Sequence, residues 1–380
     1  PIRVVDRSAA EIFNAAGGRF DAIRQQVSNL AELNVYDSFI KNIDSNLSPP
    51  INNSGDAASR IPNPLRIFRK IFSKNTEFCF SHSSTSFISI ILIILSRFIK
   101  FKIMVDNHMH YCAKENTKIS KAFYSIIKLI NNFIASPKVI YFGVTSESCD
   151  FLHKVEGVPK ERIKLLPIGY VNNLFYVPED FIEFKTKYKN IRRQLKIADN
   201  EILLIQSGKL SEDKKPHLTI EASSYLLKYK KGNILFIGPH SKKERDFLRE
   251  IFSKKSKKCW KLIFLNNVSF DKLNKYFITA DLLSFPGGAS LSCIEGAASG
   301  CKSIVAYNKE GLKRSKQGFT FLPEDNSDVS FKKLMHKKIK ELDIKKVNQV
   351  ENFRLSKETE ALVRNMSYRS VSKILLEYCN

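Results

Sequence analysis

Acidic residues are scarce in this chain. Its 380 residues carry 62 Lys and Arg against 38 Asp and Glu, a formal net charge of +24. That balance attracts anions: nucleic acid, anionic lipid and phosphorylated substrates are all candidates, and charge alone does not choose among them. Paired cysteines are also missing. Cys79, Cys112, Cys149, Cys259, Cys293, Cys301 and Cys379 are odd in number and scattered, with no Cys-x-x-Cys spacing. This argues against a disulfide framework or a zinc site and fits a reducing cytoplasm. The most apolar run, FISIILIIL at 87–95, falls short of the ~20 residues that a spanning helix needs. It is expected to be a buried helix, or one that dips into a membrane surface, flanked by Arg97, Lys100 and Lys102. The opening PIRVVDRSAAEIFNAAGG has no secretory pattern. No short-period repeat is present, which argues against a solenoid. RNA-binding aromatic motifs, zinc fingers and a helix-turn-helix pattern are absent too. A non-enzymatic nucleic-acid-binding protein would account for the charge, but not for two α/β units with glycine turns at their strand ends.

Hydrophobic residues make up 43% and charged residues 26%, ordinary for a globular protein. The length predicts two domains. Residues 1–60 contain a single lysine, Lys41, and lysine becomes frequent thereafter. The change falls at NLSPPINNSGDAASRIPNP, 46–64, whose Pro, Asn, Ser and Gly predict a mobile loop. Apolar strands are predicted at 2–5, 77–81, 101–105, 138–144 and 163–168, with helical patterns near 84–100, 117–135 and 147–156 between them. The second half repeats this alternation. Strands are predicted at 201–208, 233–238, 260–266, 281–286 and 302–307, and Ser269 is the expected N-cap of a short helix. Strands alternating with helices indicate parallel sheets covered on both faces, so the fold class is α/β with two doubly wound units and a cleft between them. Ligands in such sheets bind beyond the carboxyl ends of strands. The residues there are Gly17-Gly18, His82, Asp106 to His110, Gly208-Lys209, Gly238, Asn266 and Pro286 to Ser292.

Two stretches carry chemistry. SGKLSEDKKPHLTIEA, 207–222, sets Lys209 directly after a strand and Lys214 five residues on. Two ammonium groups there would neutralise a diphosphate, unless the loop is simply charged and solvated. FPGGASLSCIEGAASG, 285–300, supplies glycines for close main-chain approach and the amides of Ser290, Leu291 and Ser292 at a helix start, an anion cradle. Glu295 follows. It is either a dipole-stabilising acid or an acceptor for a sugar diol. A nucleotide sugar offers both a diphosphate and a diol. Among the histidines, His108 stands just past a strand near Asp106, and His82, Asp106 and His110 are acceptor-side candidates. A lone histidine is more often structural, and no metal-ligand spacing is convincing, so no metal or cofactor is expected.

The order GKLSEDKKPHLTIEA, LFIG and FLNNVSFDKLNKYFITADLLSFPGGASLSCIEGAASGCKSIVAY resembles the nucleotide-sugar-binding half of GT-B glycosyltransferases, in particular the retaining family 4, or group 1. In the first half, AAGGRFDAIRQQVSNLAEL, FCFSHSSTS, IMVDNHMHY and FGVTSESCDFLHKVEGVPKERIKLLPIGYVNNLF are similar to that family's corresponding stretches; residues 35–75 match poorly. The resemblance implies two Rossmann-like domains facing a central cleft. These are an acceptor-side domain at 1–185 and a donor-binding domain at 186–362, with a C-terminal helix at 363–380 crossing back to the first. It implies that Lys209 and Lys214 contact the donor diphosphate, Glu295 the ribose, and Gly17-Gly18 the phosphate or acceptor, with His108 near the reacting sugar. Gly238, Asn266 and Gly288 fall in the same donor site. His108, Lys209 and Glu295 are the expected catalytic residues. One departure stands out: the family usually carries a second glutamate eight positions before Glu295, and here that position is Gly287.

The expected activity is transfer of a hexose-type sugar from a nucleotide-diphosphate sugar to a glycan or lipid-linked acceptor in bacterial surface polysaccharide assembly, with retention. Epimerisation or hydrolysis of a sugar nucleotide is the alternative within the same fold. The expected location is cytoplasmic, with an anionic membrane surface as a further partner and no specific nucleic acid. RIFRKIFSK, 66–74, is a candidate membrane-surface helix, or a core-facing helix with a basic edge.

Overall fold

The structure, a computed structural model, describes residues 2–4, 78–81, 83–109, 117–170, 174–178, 181–224, 231–255, 260–342 and 357–378. Gly17, Gly18, His82, His110, the 46–64 loop and the 66–74 stretch lie outside the described residues. Internal contacts divide the chain into two units: residues 1–168 with 368–380, and residues 169–367.

The first unit is built on a parallel sheet of five strands: β1 (Ile2–Val4), β2 (Phe78–Ser81), β3 (Lys102–Asn107), β4 (Val139–Gly143) and β5 (Ile163–Leu165). They pair in sequence order. Helices α1 (Phe87–Leu95), α2 (Lys118–Leu129) and α3 (Ser146–Lys154) connect them. One face of the sheet packs Cys79, Ile103 and Tyr141 against Leu92, Ile130 and Leu152. The other packs Phe80, Met104 and Phe142 against Val371 and Leu375, which come from the last helix of the chain, Tyr368–Glu377. The sequence predicts one helix over 117–135. Instead α2 gives way to a π-turn at Ile130–Ile134. The wider turn brings Asn131 into the core, where it accepts from the Tyr141 hydroxyl at 2.7 Å and donates to the Glu156 carbonyl at 2.8 Å. Local insertions of this kind often mark functional positions.

The second unit begins with α4 (Phe181–Gln194), a helix absent from the sequence expectation. Its buried Arg192 donates to the carbonyls of Ala198 and Glu201 and lies 3.8 Å from Asp281. Because α4 packs within this unit, the unit takes in residues on the N-terminal side of the 185/186 division expected from the sequence. Then come β6 (Ile202–Ser207), α5 (Pro216–Ser224), β7 (Gly232–Ile237), α6 (Lys242–Lys255), β8 (Trp260–Leu265), α7 (Phe270–Thr279), β9 (Leu282–Phe285), α8 (Leu291–Ala298), β10 (Ser303–Val305), α9 (Lys309–Lys316), the two-residue β11 (Thr320–Phe321) and α10 (Asp328–Glu341). β6, β7 and β9 are buried throughout, as strands covered on both faces must be. Ser269 occupies the N-cap position of α7 as expected, but its side chain makes no capping hydrogen bond.

The six parallel strands are ordered β11-β10-β9-β6-β7-β8. Counted from β6 as the first, that is the order 3-2-1-4-5-6 of a dinucleotide-type sheet. Such a sheet has its switch point between its first and fourth strands, here β6 and β9. The chain leaves β6 toward one side and returns to lay β9 on the other, so the two exit loops diverge and leave a crevice at their carboxyl ends. No helix among the described residues is long and apolar enough to cross a membrane.

Candidate functional site

The crevice at β6 and β9 is where the two stretches singled out in the sequence meet. After β6, Gly208 takes φ +111°, a conformation that side chains rarely adopt. Its amide donates to the Ile237 carbonyl at 2.9 Å, and the Leu210 amide donates to the Pro239 carbonyl at 3.2 Å. Gly238, with φ +142°, packs directly on the Gly208 carbonyl, leaving no room for a β-carbon. The Gly238 amide in turn donates to Leu265, the last residue of β8, so Asn266 begins the next exit loop and is exposed. Lys209 is exposed on this rim. Glu244, at the start of α6, is held below the usual carboxylate range by the Ser241 amide and hydroxyl, with a smaller contribution from Lys209.

Lys214 ends a short 3-10 turn, Glu212–Lys214, and its ammonium lies 3.1 Å from the Asp213 carboxylate. The turn is anchored from below. Gln206, buried in β6, donates to the Lys214 carbonyl at 3.2 Å. The Gln206 carbonyl oxygen accepts from the Thr219 hydroxyl of α5 at 2.7 Å, and Thr219 lies 2.8 Å from the Ser284 hydroxyl of β9. The neighbouring Lys215, in the left-handed region at φ +45°, pairs with Asp328 of α10 at 2.7 Å. It is therefore turned to a structural partner in α10, while Lys209 and Lys214 are exposed on the loop after β6.

The β9 exit loop closes on this turn. A β-carbon at Gly287 would stand 2.5 Å from the Asp213 carbonyl oxygen and 2.5 Å from the Lys214 Cα. The Lys214 backbone thus fills the space that a side chain at 287 would need. Gly288 has φ +111° and faces the Asn308 side chain, whose other end caps α9 by accepting from the Gly311 amide at 2.6 Å. α8 begins at Ser290. The Ser290 amide is directed at the Cys293 sulfur at 3.5 Å, and its carbonyl accepts from the buried Arg314 at 2.6 Å. The Leu291 and Ser292 amides, the first of the helix, have no acceptor among the described residues, as expected for the first turn.

Glu295 lies in the second turn of α8, outside the range over which the helix dipole acts strongly on a side chain. It is buried. Removal from water raises its carboxyl to about 7, and a hydrogen bond from Ser292 opposes the rise. A carboxylate placed there at the cost of desolvation is poorly explained as a helix-stabilising device.

The first unit has its own polar cluster at the ends of β2 and β3. Asp106 accepts from the Ser83 amide at 2.8 Å through Oδ1 and lies 3.1 Å from His108 Nε2 through Oδ2. A carboxylate can only accept, so Nε2 carries the proton. Behind this pair is Glu156, fully buried, whose Oε1 accepts from Ser84 at 2.9 Å and from Asn107 at 3.1 Å. Asn107 accepts from the Met109 amide at 2.7 Å and so fixes the turn that presents His108. Burial raises the Glu156 carboxyl to about 8, with the Ser84 and Asn107 hydrogen bonds opposing the shift.

Between the ordinary carboxylate range and about 8, the folded protein holds a proton on Glu156 that the unfolded chain has released. Stability therefore falls as pH rises across that window, by at most about 1.4 kcal/mol per pH unit from this group. Glu156→Gln keeps the acceptor for Ser84 and Asn107 but cannot ionise. It is expected to flatten the decline in melting temperature between about pH 5 and about pH 8; an unchanged slope would assign the pH dependence to other groups.

Gln206, Asn308, Arg314, Ser84 and Glu156 are not among the sequence candidates, whereas Asn107 falls within the Asp106 to His110 strand end. Gln206 does carry a signal, a lone amide in an otherwise apolar strand. The others are recruited by contacts distant in sequence. Among the described residues no group of three or more His, Cys, Asp or Glu is placed to hold a metal ion.

Residues 187–352 match the family described as Glycosyl transferases group 1. A comparison with curated proteins found no match. Several solved structures share the fold. A glycosyltransferase from Rickettsia africae ESF-5 is 14% identical with a TM-score of 0.71, covering 100% of this chain and 97% of its own. Anabaena HepE in complex with UDP and glucose is 13% identical with a TM-score of 0.58, covering 80% of this chain and 77% of its own. WaaG, a glycosyltransferase involved in lipopolysaccharide biosynthesis, is 12% identical with a TM-score of 0.55, covering 83% of this chain and 94% of its own. The chain thus has the two-sheet GT-B fold, and its residues 187–352 match the group 1 glycosyltransferase family.

Proposed function

We propose that the protein transfers a hexose-type sugar from a nucleotide-diphosphate sugar to a glycan or lipid-linked acceptor. The observation that carries this reading is the meeting of the Lys209–Lys214 loop with the Gly287-Gly288 turn at the switch point of the second sheet, with buried Glu295 on the helix after it. In this reading Lys209, Lys214 and the Leu291 and Ser292 amides serve one diphosphate. They supply positive charge and free N–H groups where a leaving diphosphate would gather negative charge. Glu295 accepts from the ribose hydroxyls. The Asp106–His108 pair serves the acceptor side, with Asp106 fixing the imidazole.

In the proposed reaction the bond from the sugar's anomeric carbon to the diphosphate oxygen breaks. A bond from that carbon to the acceptor hydroxyl oxygen forms, and the acceptor proton passes to the departing phosphate. Retention follows if both events occur on one face of the sugar, as the family resemblance implies. These steps use lysines and amides for the leaving-group charge and route nothing through a metal. HepE, in complex with UDP and glucose, supports a hexose donor, and WaaG, involved in lipopolysaccharide biosynthesis, supports an acceptor in surface-polysaccharide assembly.

Thermal shift against UDP-, GDP-, ADP- and CMP-sugars tests the donor class. A diphosphate-linked sugar at a hundred times its Kd is expected to stabilise the protein by about 2.7 kcal/mol. The CMP-sugar, with one phosphate, is expected to do less. No shift with any of them would remove the donor assignment, and nucleotide release without an acceptor would point to hydrolysis.

Ribose hydroxyls donate to the ionised form of Glu295 and so favour it. Donor affinity is expected to rise with pH through about 7, the value to which burial lifts this carboxyl. Glu295→Gln is expected to weaken donor binding about ten- to hundredfold and to flatten the pH profile. A nucleotide-sugar diphosphate has no ionisation of its own near neutrality, so calorimetry with that ligand isolates the glutamate.

A further inference from the structure

The first unit leaves an apolar face in solvent. On α2 and the π-turn after it, Ile119, Phe123, Ile126, Leu129 and Phe133 are exposed, Ile119 to 83% and Phe133 to 73%. Three of them, Ile119, Phe123 and Ile126, recur at the i, i+4, i+7 spacing of one helix face. Phe98, just beyond α1, is exposed to 84%. Arg97 ties the two elements together by donating to the Phe133 and Ile134 carbonyls at 2.9 and 2.7 Å. More than half of the exposed large apolar side chains among the described residues lie on α1, α2 and these two turns. Single exposed apolar residues need no explanation; a concentration on one pair of elements does.

Within the two stretches that carry this face the charges have one sign. No Asp or Glu occurs in residues 78–105 or 117–146, while Arg97, Lys100, Lys118, Lys121 and Lys128 are all present and exposed. Carboxylates that would repel an anionic surface are missing from both stretches. A nucleic acid would use the cations but gain nothing from Ile119, Ile126 and Leu129. An acidic protein would use both, but a lipid surface matches the pattern more fully: acyl chains for the protruding aliphatic and aromatic groups, anionic headgroups for the lysines.

We propose that the face formed by α2, the π-turn and the end of α1 docks on an anionic membrane, lying in the headgroup layer without crossing it. This rests on the first unit alone and stands whether or not the donor assignment holds. It uses residues other than those of the 66–74 stretch.

Full-length protein is tested by co-sedimentation with vesicles of phosphatidylcholine alone and of phosphatidylcholine mixed with phosphatidylglycerol. Binding is expected only to the mixed vesicles and to weaken as salt is raised. Ile126→Ser with Phe133→Ser, and separately Lys121→Glu with Lys128→Glu, are each expected to lower partitioning at least about tenfold while leaving melting temperature and donor-induced thermal shift unchanged. Equal binding to both vesicle types, or wild-type partitioning by both variants, would overturn the proposal. So would a wild-type dimer that the serine variant converts to monomer in the absence of vesicle binding, because the face would then belong to a second copy. A large drop in melting temperature of the serine variant, with vesicle binding absent from the wild type, would assign the face to another segment of this chain.

Discussion

Lys209→Ala is expected to lower kcat/KM for the nucleotide-sugar donor by about 30- to 1000-fold, the loss of roughly 2–4 kcal/mol of transition-state stabilisation. Lys209 leaves β6 on a glycine at φ +111°, which lets the backbone turn sharply at the crevice mouth. Its side chain is exposed, so the substitution leaves no cavity and strands no buried partner. Stability is therefore expected to hold within about 0.5 kcal/mol, as for ordinary surface changes. The charge on the leaving diphosphate grows as the glycosidic bond stretches. An ammonium that answers it does more for the transition state than for the ground state, so most of the loss is expected in kcat rather than in KM. Lys209→Arg keeps the charge but changes its shape and reach, and is expected to recover only part of the rate. Near-normal turnover by the alanine variant would take Lys209 out of the mechanism.

Gly287→Ala tests the meeting of the two loops. The new methyl carbon would stand 2.5 Å from the Asp213 carbonyl oxygen and 2.5 Å from the Lys214 Cα, and both are main-chain atoms that cannot simply rotate away. One loop must shift. Overpacking of this kind costs about 1–3 kcal/mol. A displacement near 1 Å at a positioning element can cost about a hundredfold in rate, so activity is expected to fall about a hundredfold even where the protein remains folded. Gly287→Glu, which would supply the acid that the resembled family usually carries here, is expected to be worse rather than restorative. Its first carbon meets the same two atoms before the carboxylate can reach anything. Steady-state kinetics alongside thermal unfolding separates the effects. Full activity in a stable Gly287→Ala protein would show that the two loops do not set each other's position.

The crevice residues are legible in the sequence because each stands next to a strand. An apolar run such as EILLIQSG ends visibly, and the residues after it stand at a strand's carboxyl end by construction. Lys209, Gly238 and Gly288 emerge from that reasoning, whereas Glu295, ten residues past β9, is singled out only as a lone acid behind a glycine turn. Strand order is not legible, because pairing β6 with β9 joins residues almost eighty positions apart and leaves no local trace. Helix α4 escapes notice because its apolar residues are sparse among Lys and Arg. Glu156 does so because its partners, Ser84 and Asn107, lie 72 and 49 residues away. Buried polar groups are chosen by their surroundings in space. A sequence shows the residue and not the surroundings.

The polar thread under the Lys214 turn constrains how this protein can diverge. The single hydroxyl proton of Thr219 is committed to Gln206, so the proton in the Thr219–Ser284 contact comes from Ser284, whose other acceptor is the weaker Met335 sulfur at 3.8 Å. The thread has a direction, and reversing or interrupting it at one position strands the next. Descendants of this sequence should therefore alter positions 206, 219 and 284 jointly, through a permissive intermediate or not at all, and a sampling of relatives should show those three columns drifting as one.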